Sequence, residues 1–158
     1  MGNVFAGSEV VEMGIQIEKN GRDFYGVLLE KSKSEKAREI YKYLSAEEGK
    51  HIVAFEKVLE LIRNYEPVES YPGEYFAYLK ALAGGYVFTR KNKGSEIAEK
   101  IKSDNEAVDL GIKFEKESIV FYEGMKNVVP ERERGVIDAL INQEKNHLLK
   151  LIEIKDSL

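Results

Sequence analysis

Apolar residues recur at intervals of three and four along most of this chain, a period that predicts amphipathic helices. Four long helices follow, over 8–31, 34–65, 103–127 and 131–156. Ser8, Ser34 and Ser103 (or Asp104) stand where N-caps belong. Pro67 lies beyond the end of the second helix, and Pro130 falls in the short turn before the fourth. Residues 66–102 differ in kind: Pro67, Pro72, Gly73, Gly84, Gly85 and Gly94 break the pattern and leave short helices around 74–82 and 95–101. No stretch alternates convincingly enough to predict a strand. The expected fold is all-α, a single domain over 1–158. Hairpins 8–65 and 103–156, joined by a long crossover at 66–102, make a four-helix bundle.

Each long helix carries one inward seam, and each seam is interrupted. On the first it runs Val11, Gly14, Glu18, Gly21, Tyr25, Leu28; on the third, Val108, Gly111, Glu115, Ser118, Tyr122, Met125. The second reads Tyr41, Leu44, Glu48, His51, Phe55, Val58, Ile62, and the fourth Ile137, Leu140, Glu144, His147, Leu151, Ile154. Such positions normally hold apolar residues in a bundle. Here a Glu, or a Glu and a His, sits near the middle of every one.

An internal repeat links the two halves. Gly14 to Lys19 aligns with Gly111 to Lys116, and Phe24-Tyr25 with Phe121-Tyr122, at an offset of 97 residues. Tyr41, Leu44, Glu48 and His51 align with Ile137, Leu140, Glu144 and His147 at an offset of 96. Both hairpins are thus variations on one pattern and are expected to face each other in approximate two-fold symmetry. The second helix of each carries Glu-x-x-His, and the two copies use both histidines of the chain. Of 28 acidic residues five are aspartate, leaving 23 glutamates in 158 positions. Two chance matches then have odds of only about 2%.

Four glutamates and two histidines therefore converge at one level of the bundle. Burying one unpaired carboxylate costs several kcal/mol, and four repel one another besides. Two divalent cations would balance them. Carboxylate with neutral imidazole suits Fe, Mn or Zn. Glu and His three residues apart share a helical face, so both reach the same pair of ions.

Composition narrows the setting. A charged fraction of 33% beside 43% hydrophobic residues fits a soluble helical chain. With net charge −4 and basic residues interleaved among acidic ones, nothing suggests nucleic acid. No apolar run spans a membrane and the N-terminus lacks the features of a signal peptide, so the cytoplasm is the expected location. The opening Met1-Gly2 carries Ala6 where myristoylation wants Ser or Thr. Zero cysteines exclude disulfides, thiolate zinc and thiolate-held iron–sulfur clusters from these residues.

Glu18-Lys19 with Phe24-Tyr25, Glu48-Gly-Lys-His51, Glu115-Lys116 with Phe121-Tyr122, and Glu144-Lys-Asn-His147 together resemble the ferritin-like di-iron carboxylate superfamily, in its rubrerythrin branch. The resemblance covers all four long helices. It implies a non-haem pair of Fe ions (Mn or Zn as alternatives) bridged by Glu48 and Glu144. Glu18 and His51 would complete one ion, Glu115 and His147 the other. Tyr25 and Tyr122 would hydrogen-bond to the carboxylates. It further implies an oxidoreductase acting on peroxide or O₂ with a separate electron donor, and a homo-oligomer, expected as a dimer. A ferroxidase storage protein and a bundle merely held together by metal are the alternatives; the storage reading needs a cage of subunits.

Two departures from the family stand out. Rubrerythrins usually carry another glutamate three residues after the third-helix ligand, where this chain has Ser118; Glu117 projects off the seam. The cysteine-ligated rubredoxin iron has no counterpart in these residues. The crossover aromatics Tyr71, Tyr75, Phe76, Tyr78, Tyr86 and Phe88 read as bundle packing or an oligomer contact.

Overall fold

The computed structural model describes residues 4–64, 70–85 and 90–158. Its long helices are α1 (Gly7–Lys31), α2 (Glu35–Asn64), α5 (Asp104–Met125) and α6 (Arg134–Lys155), with α3 (Gly73–Gly85) and α4 (Lys93–Lys100) in the crossover. All-α is the right class; the first hairpin's helices run from Gly7 to Asn64 and the second's from Asp104 to Lys155. The α5–α6 turn contains two single 3-10 turns, 126–128 and 131–133, on either side of Val129-Pro130.

The caps explain where the helices begin. Ser34 Oγ accepts from Ala37 N–H at 3.3 Å to start α2, and Ser103 Oγ accepts from Glu106 N–H at 3.2 Å to start α5. Ser8 does not cap α1, which already begins at Gly7. A second difference is a pair of three-residue antiparallel strands, β1 (Val4–Ala6) and β2 (Ser70–Pro72), with Phe5 opposite Tyr71. Three residues are too few for alternation to be readable, so this pairing left no sequence signal.

All the seam positions named above are buried. α1 packs along α2 and α5 along α6; the hairpins then face each other through α1 with α5 and α2 with α6. Asp104 ties the hairpins at one end, accepting from Tyr41 Oη and Ser32 Oγ at 3.1 Å each.

The crossover is anchored to the bundle on both sides. α4 lies against α1 so closely that a Cβ on Gly94 would sit 2.0 Å from the Asn20 carbonyl oxygen. The Asn20 side chain completes this joint, accepting from Gly94 N–H at 3.1 Å and donating to the Arg90 carbonyl at 2.6 Å. On the other side, Tyr75 of α3 donates to the Gly124 carbonyl at 2.8 Å, and Leu79 is fully buried. Tyr75 is thus bundle packing, while Tyr78 is exposed. Tyr86 and Phe88 lie outside the described residues, as do the side chains of Tyr71 and Phe76.

Candidate metal centre

Midway along the bundle the six interrupting side chains meet. Glu18 comes from α1, Glu48 and His51 from α2, Glu115 from α5, and Glu144 and His147 from α6. None is more than 1% exposed. They sort into two groups of candidate ligands, Glu18, Glu48, His51, Glu144 and Glu48, Glu115, Glu144, His147, each with ligand atoms within 4.8 Å of one another. Glu48 and Glu144 belong to both; they are the two residues that the resemblance implies as bridges.

Both imidazoles turn Nδ1 inward. His51 Nδ1 lies 2.7 Å from Glu144 Oε1 and 3.4 Å from Glu18 Oε2. His147 Nδ1 lies 3.3 Å from Glu48 Oε1 and 3.6 Å from Glu144 Oε2. The rings stack with centroids 5.4 Å apart.

Proximity does not satisfy these atoms. Nine buried side-chain N or O atoms among the described residues have no hydrogen-bond partner, and all nine belong to these six residues. Even His51 Nδ1, close as it is to Glu144, makes no hydrogen bond there. Buried polar groups are nearly always paired, because an orphan costs about 1–3 kcal/mol. Orphans gathered at one point, mostly carboxylate oxygens and inward ring nitrogens, fit the donor set of a hard or borderline divalent cation.

Without a cation the carboxylates cannot all ionise. Burial first, then the charges of Glu144, Glu18 and Glu115, push the Glu48 carboxyl well above the usual range. Burial and Glu144 do the same to Glu115. Burial and Glu18 push Glu144 up to about 7. Glu18 alone of the four falls below its ordinary value: burial pushes it up, but the nearby Glu48 carboxyl, the His51 ring and the Tyr122 hydroxyl outweigh that. His51 is held up at about 11, because the Glu144 and Glu18 carboxylates overcome burial; burial pushes His147 down. Protons thus take the place that cations would otherwise fill.

Two tyrosines brace the cluster reciprocally. Tyr25 of α1 donates to Glu115 Oε1 of α5 at 2.8 Å, and Tyr122 of α5 donates to Glu18 Oε1 of α1 at 2.6 Å. This exchange is the two-fold symmetry of the repeat expressed in hydrogen bonds. Burial and the adjacent carboxylates push both phenols well up, so they stay protonated and donate. Small residues make the room. A Cβ on Gly21 would stand 2.6 Å from the Phe114 ring and 3.3 Å from Glu48 Oε2, and one on Gly111 would stand 3.3 Å from Tyr25 Oη.

Ser118, at the usual extra-glutamate position, donates to the Phe114 carbonyl of its own helix at 2.9 Å. Glu117 belongs to neither four-residue group; burial raises its carboxyl, against the pull of Lys113 at 3.9 Å. Two neighbours went unnoticed in the sequence. Gln143 Oε1 lies 2.6 Å from His51 Nε2. Glu47 forms a third group with His51 and His147, again within 4.8 Å. The repeat could have found them, since both directly precede the glutamate of a Glu-x-x-His.

Two helical hairpins that bury a Glu on each first helix and a Glu-x-x-His on each second helix define the ferritin-like carboxylate bundles. Residues 9–155 match the Rubrerythrin family, and the chain belongs to it. A Thermotoga maritima protein assigned as a ferritin-like diiron-carboxylate protein is 27% identical with a TM-score of 0.74, covering 99% of this chain and 98% of that one. A hypothetical protein from Pyrococcus furiosus shares the fold at 22% identity and a TM-score of 0.66, covering 96% of this chain and 89% of that one. No curated protein matches the chain. No helix among the described residues is long and apolar enough to cross a membrane.

Proposed function

We propose that the cluster is a dinuclear iron centre and that the protein is an oxidoreductase acting on peroxide or O₂. The observation that carries this reading is the set of nine orphaned buried atoms, confined to six residues whose types and spacing fit two cations. Glu48 and Glu144 would serve both ions, with Glu18 and His51 completing the ligands of one and Glu115 and His147 those of the other. When bound, the iron pair would supply two linked one-electron redox centres able to act on a small oxidant. The description of the Thermotoga relative points to the same metal.

The rest of the chemistry belongs to the protein. Tyr25 and Tyr122 hold Glu115 and Glu18 in orientation through protonated hydroxyls. Phe24, Phe55, Phe114 and Phe121 are almost wholly buried and keep bulk water from the carboxylates. Lacking cysteine, these residues hold no thiolate redox site, so electrons come from a separate donor.

One observation favours a second reading, a metal pair that only stabilises the bundle: Ser118 spends its hydroxyl on its own helix and offers no further carboxylate. Stopped-flow oxidation separates the two. Anaerobic Fe(II) protein mixed with peroxide or O₂ is expected to oxidise much faster than free Fe(II). Oxidation no faster than free iron by either oxidant would leave the stabilising role.

A further inference from the structure

The two metal positions differ in what stands behind their histidines. Both rings use Nδ1 inward, so each Nε2 points away from the carboxylates and needs an acceptor of its own. His51 Nε2 has Gln143 Oε1 at 2.6 Å, a neutral amide reaching across from α6. His147 Nε2 is buried and has no partner. Across the internal repeat, the residue equivalent to Gln143 is Glu47 on α2. A Glu47 carboxylate oxygen and a ring nitrogen of each histidine lie within 4.8 Å of one another. Lys50 holds Glu47 Oε1 at 2.9 Å from the solvent side, which leaves the second oxygen free for His147.

Resting on the dinuclear reading above, we infer that Glu47 is the acceptor for His147 Nε2–H, and that the pairing of Glu47 with His147 and Gln143 with His51 makes the two metal positions unequal. A carboxylate acceptor makes an imidazole a stronger donor than an amide acceptor does. The ion held by His147 and Glu115 is therefore the tighter of the two and loads first. Glu47 is a positioning residue: it touches neither ion and acts through the ring. A third cation at Glu47 is disfavoured, because it would need both histidines at their second nitrogen while the first is in use.

Calorimetric titration of Co²⁺ into the metal-free full chain tests this. The wild type is expected to take up two ions in two resolved steps. Glu47→Gln keeps the shape, weakens the tighter step by about 10-fold or more and merges the steps; Gln143→Glu strengthens the weaker step comparably. In the Zn²⁺-loaded protein, the His147 Nε2–H proton signal should move upfield in Glu47→Gln while that of His51 stays, a readout that mere loss of packing would not give. Two resolved steps and an unmoved His147 signal in Glu47→Gln would overturn the inference while leaving the dinuclear centre intact. A third equivalent lost in Glu47→Gln would overturn it too, by making Glu47 a ligand. Fewer than two ions in the wild type would overturn both.

Discussion

Replacing Tyr25 or Tyr122 by Phe removes one oxygen and leaves the ring. The rings stay packed: Tyr25 lies 5.2 Å from Phe24 and 6.2 Å from Phe114, Tyr122 5.0 Å from Phe55 and 6.2 Å from Phe121. What disappears is the hydrogen bond to a carboxylate oxygen across the hairpin interface. Glu115 Oε2 and Glu18 Oε2 already lack partners, so each substitution leaves a carboxyl with both oxygens unpaired. All four residues are fully buried, and no water can take the hydroxyl's place. Leaving a buried acceptor unpaired costs about 1–3 kcal/mol, and full burial puts the loss in the upper half of that range. For a chain of this size each kcal/mol moves Tm by about 2–4 °C, so a fall of roughly 5–10 °C is expected for either variant. The loosened carboxylate should also weaken one ion about 10- to 100-fold: the ion at Glu115 and His147 for Tyr25→Phe, the ion at Glu18 and His51 for Tyr122→Phe. The double variant should depart from additivity, because Glu48 and Glu144 connect the two halves. Thermal unfolding with and without metal, together with chelator competition, measures all of this. If both variants stay within about 0.5 kcal/mol of the wild type with unchanged metal affinity, the tyrosines are packing alone.

Gly94→Ala would place its Cβ against the Asn20 backbone, which cannot rotate away. A loss of about 3 kcal/mol is expected in denaturant unfolding, the top of the range for overpacking. Gly49→Ala, with nothing within 4 Å of its Cβ, should instead gain about 0.5–1 kcal/mol in the same assay. Removing metal should lower Tm by about 10–20 °C, since two ions at 100 times their Kd contribute about 5 kcal/mol. That difference should widen from about pH 7 to pH 9. Glu48, Glu115 and Glu144 are raised in the metal-free fold, so its stability falls as pH rises through their folded values, whereas the metal-bound form uses the ionised carboxylates. Glu18 and His147, shifted down, titrate below that window. Differential scanning calorimetry of both forms across the window checks the sign.

The bundle and its polar centre were legible in the sequence for one reason. A helix with a three-four seam has a single inward face, so a Glu or His on that seam has nowhere else to go. Glu18, Glu48, His51, Glu115, Glu144 and His147 announced themselves by interrupting apolar series, and the repeat showed that the interruptions are paired. The place of Tyr25 and Tyr122 on the seam was legible too, but their hydrogen bonds to carboxylates came only with the family resemblance, and the reciprocal pairing with Glu115 and Glu18 is visible only in the structure. Gln143 and Glu47 did not stand out, because they sit one position off the seam among many charged neighbours; their matching place in the repeat was the one sequence signal, and contact with His51 and His147 gives it meaning. The α1–α4 joint was equally silent. Gly94 read as a helix breaker and Asn20 carried no signal, and only their contact shows that the glycine serves close approach. The three-residue strand pair lies below the length at which a period can be recognised.

The central claim is that six buried side chains hold two metal ions, and metal content measures it most directly. Protein reconstituted with Fe(II) under anaerobic conditions and desalted should carry two ions per chain. Glu144→Ala should lose both, because Glu144 stands in both ligand groups. Glu117→Ala, outside them, should keep two. Two ions retained by Glu144→Ala, or none held by the wild type, would contradict the account.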